Sequence, residues 1–80
     1  MNNLVEKIIK FISDYEGIDS SKLNEDTDLI NDIGMASIDI MEMCCQIEED
    51  YNIEIDLADL YSLKTIKEVA EYIESAMNNE

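Results

Sequence analysis

Three stretches of this chain repeat their apolar residues every three or four positions, and no stretch alternates long enough to build a sheet. The first carries Leu4, Val5, Ile8, Ile12 and Tyr15, widened by Ile9 and Phe11. The second carries Met41, Cys44, Ile47 and Tyr51, and the third Ile66, Val69, Ala70, Ile73 and Met77. That spacing is the signature of one buried face on an α-helix. The only alternation, Ile53-Glu54-Ile55, is too short and has no second strand to pair with. The pattern predicts an all-α fold: a small four-helix bundle of three main helices and one short one, with a long loop between the first two. Its 80 residues make one domain over 1–80, too small for a second core.

Polar residues and glycines punctuate the stripes. Asn3 followed by Glu6 reads as a capping box for the first helix, and Gly17 closes it after Glu16. Asp56 is expected to cap a short helix over Leu57–Tyr61, and Thr65 with Glu68 a capping box for the last helix, beyond which Asn78 and Asn79 fray. Ile18, Leu23, Leu29, Ile30 and Ile33 should anchor the long connection as a packed loop, with a helical turn near Ser20–Asn24. Its acids Asp26, Asp28 and Asp32 invite a calcium-loop reading. That reading fails, because Asn31 stands where the motif needs Gly and Ser37 where it needs Glu. No metal site is expected.

Charge narrows the function. Twenty acids against five lysines, with no histidine, give a net charge of −15. From Leu23 to Leu63 there are twelve acids and no base. Such a field repels nucleic acid and anionic membrane and attracts basic protein surfaces. No stretch approaches a membrane span and no basic-then-apolar leader opens the chain, so a cytoplasmic monomer is expected. Cys44 and Cys45 are helical neighbours that diverge by about 100°, which argues against a bond between them. Cys44 falls on the core stripe and Cys45 outside it. Met35, Met41, Met43 and Met77 lend the interior soft, adaptable side chains. Catalysis is not expected: no histidine is available as a base, and no base lies near Ser37 in sequence.

Ser37 is the residue around which chemistry can be argued. It stands at the start of the second helix, the place of an N-cap, with Gly34 available for a turn just before it. A hydroxyl there sits at the partly positive end of a helix, where a phosphate is well received. Beyond it Asp39, Glu42, Gln46 and Glu49 form a polar stripe at helical spacing, bordered by Ile38 and Cys45.

The segment Gly34-x-x-Ser37-Ile38-Asp39, followed by Glu42 and by Ile47-Glu48-Glu49, resembles the region around the modified serine of acyl carrier proteins. Asp28-Leu29 and Thr65-Ile66 extend the resemblance over most of the chain in the same order. One position departs: the family's Asp before the serine is Ala36 here, which removes a charge and leaves the nucleophile. The resemblance implies 4′-phosphopantetheine esterified to Ser37 from coenzyme A, its thiol carrying acyl groups as thioesters for fatty acid or polyketide-type synthesis. It also implies that Ile38, Asp39, Glu42, Cys45 and Glu49 meet basic surfaces on the phosphopantetheinyl transferase and on acyl-processing or acyl-loading enzymes. Two alternatives stay open at this point: a carrier of an aminoacyl or D-alanyl unit, and an acidic helical adaptor with no prosthetic group.

Overall fold

Gly17 takes φ +70° and its N–H donates back to the Ser13 carbonyl, which ends the first helix at the predicted residue. The computed structural model describes residues 2–78. Along them run α1 (Asn2–Glu16), a one-turn 3₁₀ helix η1 (Ser20–Lys22), α2 (Ser37–Tyr51), a second 3₁₀ helix η2 (Leu57–Ser62) and α3 (Ile66–Asn78). The described residues form no strand, only one isolated bridge between Asp28 and Thr65. The four-helix expectation therefore holds, with the short helix a 3₁₀ helix reaching one residue past Tyr61. The turn foreseen over Ser20–Asn24 closes sooner, at Lys22.

Local chemistry explains most boundaries. Thr65 Oγ1 accepts the Glu68 N–H at 3.2 Å while Glu68 Oε1 accepts the Thr65 N–H at 3.0 Å, the reciprocal box that starts α3. Asp56 Oδ1 accepts the Ala58 N–H at 3.0 Å and caps η2. Asn52 closes α2 in the left-handed region at φ 54°, a conformation that Asn tolerates better than most residues. The Asn3 box is a correction: α1 already includes Asn2 and Asn3, so Asn3 lies inside the first turn and does not cap it. Asn78 is still helical, and Asn79 lies outside the described residues.

The core is one cluster. Ile8 and Ile12 of α1, Met43, Cys44 and Ile47 of α2, and Ile66, Val69, Ala70 and Ile73 of α3 are almost fully removed from water. α1 packs mainly on α3, while η2 packs on α2. Three stripe residues fall outside this core: Tyr15, Met41 and Met77 are 45%, 37% and 39% exposed. For α2 the reason is that apolar residues occupy nearly every side of the helix. The buried face is rotated toward Ile40, Met43, Cys44 and Ile47.

The long loop is packed, as its apolar anchors require. Leu23, Leu29 and Met35 are buried, Ile18 and Ile33 partly so, whereas Ile30 faces water. Its acids are turn staples. Asp28 Oδ1 accepts the N–H groups of Ile30 and Asn31 at 2.9 and 2.7 Å, and Asp32 Oδ2 accepts that of Asp28 at 2.8 Å. These donors hold the Asp28 carboxyl below its ordinary range, the Asn31 N–H contributing most. The loop is also fastened to the start of α3: Leu29 N–H donates to the Lys64 carbonyl at 2.8 Å and Ile66 N–H to that of Thr27 at 3.2 Å.

Candidate functional site

The approach to Ser37 is fixed from below. Gly34 adopts φ +83°, open to glycine and strained for other residues, and its N–H donates to the Ile30 carbonyl at 3.0 Å. Met35 follows, buried, its N–H donating to the Leu29 carbonyl at 2.9 Å. The chain then enters α2 through Ala36, which is extended at φ −82°, ψ 164° and is the residue at the N-cap. Ser37 is thus the first helical residue and not the cap, which corrects the sequence reading by one position. Ala36 has no side-chain acceptor, so no side chain caps the helix from that position.

The shift changes what the serine does. Its side chain is exposed, and no hydrogen bond engages its hydroxyl among the described residues. The Asp39 and Ile40 N–H groups both turn back to the Ala36 carbonyl, at 3.0 and 3.2 Å. The amides of Ser37 and Ile38 are left, by their position in the first turn, without intrahelical acceptors. An anionic group esterified to Ser37 would meet those amides and the positive end of α2, so the residues present fit a phosphodiester.

Two depressions flank this end of α2. On one side a cleft of about 330 Å³ is lined by Ser37, Ile40 and Met41 of α2, by Leu57, Ala58, Leu60 and Tyr61 of η2, and by Ile30, Leu63 and Lys64. Its lining is mainly apolar, with Ser37 and Lys64 the polar members. On the other side a wider, more open groove of about 610 Å³ runs between α1 and α2. Phe11 and Tyr15 form one wall, and Ile38, Met41, Glu42, Cys45, Gln46 and Glu49 the other.

The structure therefore gathers Ile38, Glu42, Cys45 and Glu49 along one groove, with Ile38 65% exposed. Asp39 stands apart. Its Oδ2 accepts the Ala36 N–H at 2.9 Å and its Oδ1 accepts the Tyr15 hydroxyl at 3.1 Å, so both oxygens already have partners within the molecule. Sequence reasoning missed Tyr15 and Phe11 as walls of the groove, having placed them on the core face of α1. It also missed Ile30, Leu57, Tyr61 and Lys64 around Ser37, because their proximity is set by tertiary packing.

The two cysteines differ as their helical positions require. Cys44 is buried, and burial with the nearby Cys45 and Glu48 pushes its thiol up to about 12. Cys45 is exposed on the groove wall. Among the described residues no cluster of three or more His, Cys, Asp or Glu side chains is arranged to hold a metal, and no helix is long and apolar enough to cross a membrane.

Comparison with known proteins gives this geometry its context. The model of the family described as "Phosphopantetheine attachment site" matches residues 6–73. The chain is 30% identical over 74 residues to the acyl carrier protein of Thermotoga maritima, covering 92% of this chain and 91% of that one. It is 33% identical over 78 residues to the acyl carrier protein of Sinorhizobium fredii, covering 95% and 97%. The fold matches that of the acyl carrier protein from Enterococcus faecalis with a TM-score of 0.78 at 24% identity, over 94% and 95% of the two chains. The chain belongs to the phosphopantetheine-attachment family and, within it, to the acyl carrier proteins. It is a carrier and not an enzyme, bearing 4′-phosphopantetheine covalently, and it works with the transferase that installs the group and with acyl-processing enzymes. The adaptor alternative falls away.

Proposed function

We propose that Ser37 Oγ is the point of attachment, and that the protein carries apolar acyl intermediates for fatty acid or polyketide-type synthesis. One observation carries this reading: the only hydroxyl in the first turn of α2 is exposed, unpartnered and on the rim of an apolar cleft. The prosthetic group supplies a thiol that holds the acyl unit as a thioester, while partner enzymes make and break bonds. The residues around Ser37 receive the group: the free amides of the first turn face its phosphodiester. The mainly apolar lining of the cleft favours an alkyl or polyketide chain over an aminoacyl or D-alanyl unit, whose ammonium would lose water there without a partner.

The groove on the other flank is the docking surface in this reading. Ile38 and Cys45 offer apolar contact between Glu42 and Glu49, and Phe11 and Tyr15 supply an aromatic wall opposite. Basic faces on the transferase and on acyl-processing enzymes fit it. Charge complementarity of this kind speeds and orients encounter more than it tightens binding, which suits a carrier that must leave each partner. A net charge of −15 opposes self-association, so in this reading the carrier acts as a monomer, and its place of work is the cytoplasm.

The test is an intact mass after incubation with coenzyme A and a broad-specificity phosphopantetheinyl transferase. The wild type is expected to gain one phosphopantetheine and Ser37→Ala none. A gain that survives in Ser37→Ala would place the attachment elsewhere.

A further inference from the structure

We propose that Tyr15 is a positioning residue for Ser37, bracing the first turn of α2 through the Asp39 carboxylate in place of the side-chain cap that Ala36 cannot supply. The proposal rests on Ser37 being the modified residue. A helix start without an N-cap side chain loosens readily, since Asp, Asn, Ser and Thr cap far better than Ala. Here the loss falls one residue before the nucleophile.

The geometry shows what makes it good. Asp39 reaches back with Oδ2 to the Ala36 N–H at 2.9 Å, and its other oxygen receives the hydroxyl of Tyr15, 24 residues earlier in the chain, at 3.1 Å. The carboxylate thus joins three pieces: the end of the approach loop, the first turn of α2 and the last turn of α1. Tyr15 is a firm donor. Its ring stacks on Phe11 with centroids 5.4 Å apart and planes 16° from parallel, and α1 is anchored by the buried Ile8 and Ile12. The hydrogen bond to Asp39, and to a lesser degree the charges of Asp39, Glu42 and Glu16, push the phenol's pKa up from its ordinary value. The loop on the other side of Ser37 is already pinned at Gly34 and Met35. The first turn of α2 is therefore where the serine's remaining freedom lies, and the brace acts there.

Tyr15→Phe tests this, because it keeps the stacked ring and the Asp39 charge and deletes only the hydroxyl. Amide hydrogen exchange on the purified protein is expected to speed up by about three- to tenfold at Asp39 and Ile40, the range a lost hydrogen bond of ordinary strength allows. Val69 and Ile73, in the α3 core, should not change. In steady-state modification by the transferase, kcat should fall by a similar factor with KM unchanged, as expected for a misplaced nucleophile. Adding Ala36→Asp, which restores a cap, should recover both readouts. Unchanged exchange at Asp39 and Ile40, acceleration spread equally into α3, or no recovery with Ala36→Asp would overturn the proposal. The ring that walls the groove is kept in this variant, so a rise in KM at constant kcat would also overturn the proposal, assigning the Tyr15 hydroxyl to partner docking and not to bracing. If the wild type is not modified at Ser37, the attachment reading and the positioning role both fail. The exchange arm then still decides whether the Tyr15–Asp39 contact braces the turn.

Discussion

The two flanks of α2 are built from the same helix and present opposite surfaces. Toward η2 the helix presents Ser37, Ile40 and Met41 to a mainly apolar cleft; toward α1 it presents Ile38, Glu42, Cys45 and Glu49 to an open, acid-edged groove. The cleft is made by packing against a short 3₁₀ helix, and the groove lies between α1 and α2. Met41 stands on the ridge between them and lines both. With Ser37 as the attachment point proposed above, the 15 residues of α2 keep two tasks on separate faces. In the function proposed above, apolar surface for cargo faces one way and charge for partners faces the other, and Met41 is the one side chain of α2 that lines both.

The sharpest way to break the distinction is to hollow the cleft. Ile40 is buried on its floor, and Ile40→Ala is expected to cost about 2–4 kcal/mol by urea unfolding. A cost below about 0.5 kcal/mol would mean that this flank is surface and not core. The groove should answer differently. Glu42→Lys with Glu49→Lys is expected to slow association with the transferase roughly tenfold at low salt, the deficit shrinking as salt is added. An equal slowing from Leu57→Lys with Tyr61→Lys, on the cleft side, would erase the contrast. The smallest effect lies off both flanks, in the loop. Because folding lowers the Asp28 pKa below its ordinary 3.8, its carboxylate stabilises the fold above that value, and the contribution is lost as pH falls through the lower, folded one. Asp28→Asn, which keeps an acceptor for the turn, should narrow the gap to wild type in acid unfolding curves as the pH drops.

Local signals carried the helix ends that sequence could place. Gly17, Asp56 and the pair Thr65 and Glu68 act through neighbours a few residues away, so their chemistry is readable without a fold. The rotation of α2 was not readable. Ile38, Ile40, Met41, Met43, Cys44, Cys45 and Ile47 leave several faces apolar, and only tertiary packing in the shared core chooses among them. The same limit hid the walls of both depressions, since Tyr15 and Lys64 reach the neighbourhood of α2 from distant parts of the chain. Asp39 shows a subtler limit. Its place on the acidic stripe was legible, yet its hydrogen bonds depend on Tyr15 and on Ala36 being the cap.

The backbone bonds between the loop and the start of α3 also bear on the order in which the protein is made. Leu29 and Thr27 are held by Lys64 and Ile66, and the Lys67 N–H donates to the Glu25 carbonyl at 2.9 Å. These partners leave the ribosome well after α2, and the contacts that close the frame are long in sequence. A nascent chain that has emerged only through Tyr51 exposes the serine without the platform beneath it. If the transferase reads the folded site, as the proposed function requires, the prosthetic group is added to finished molecules and not to growing ones.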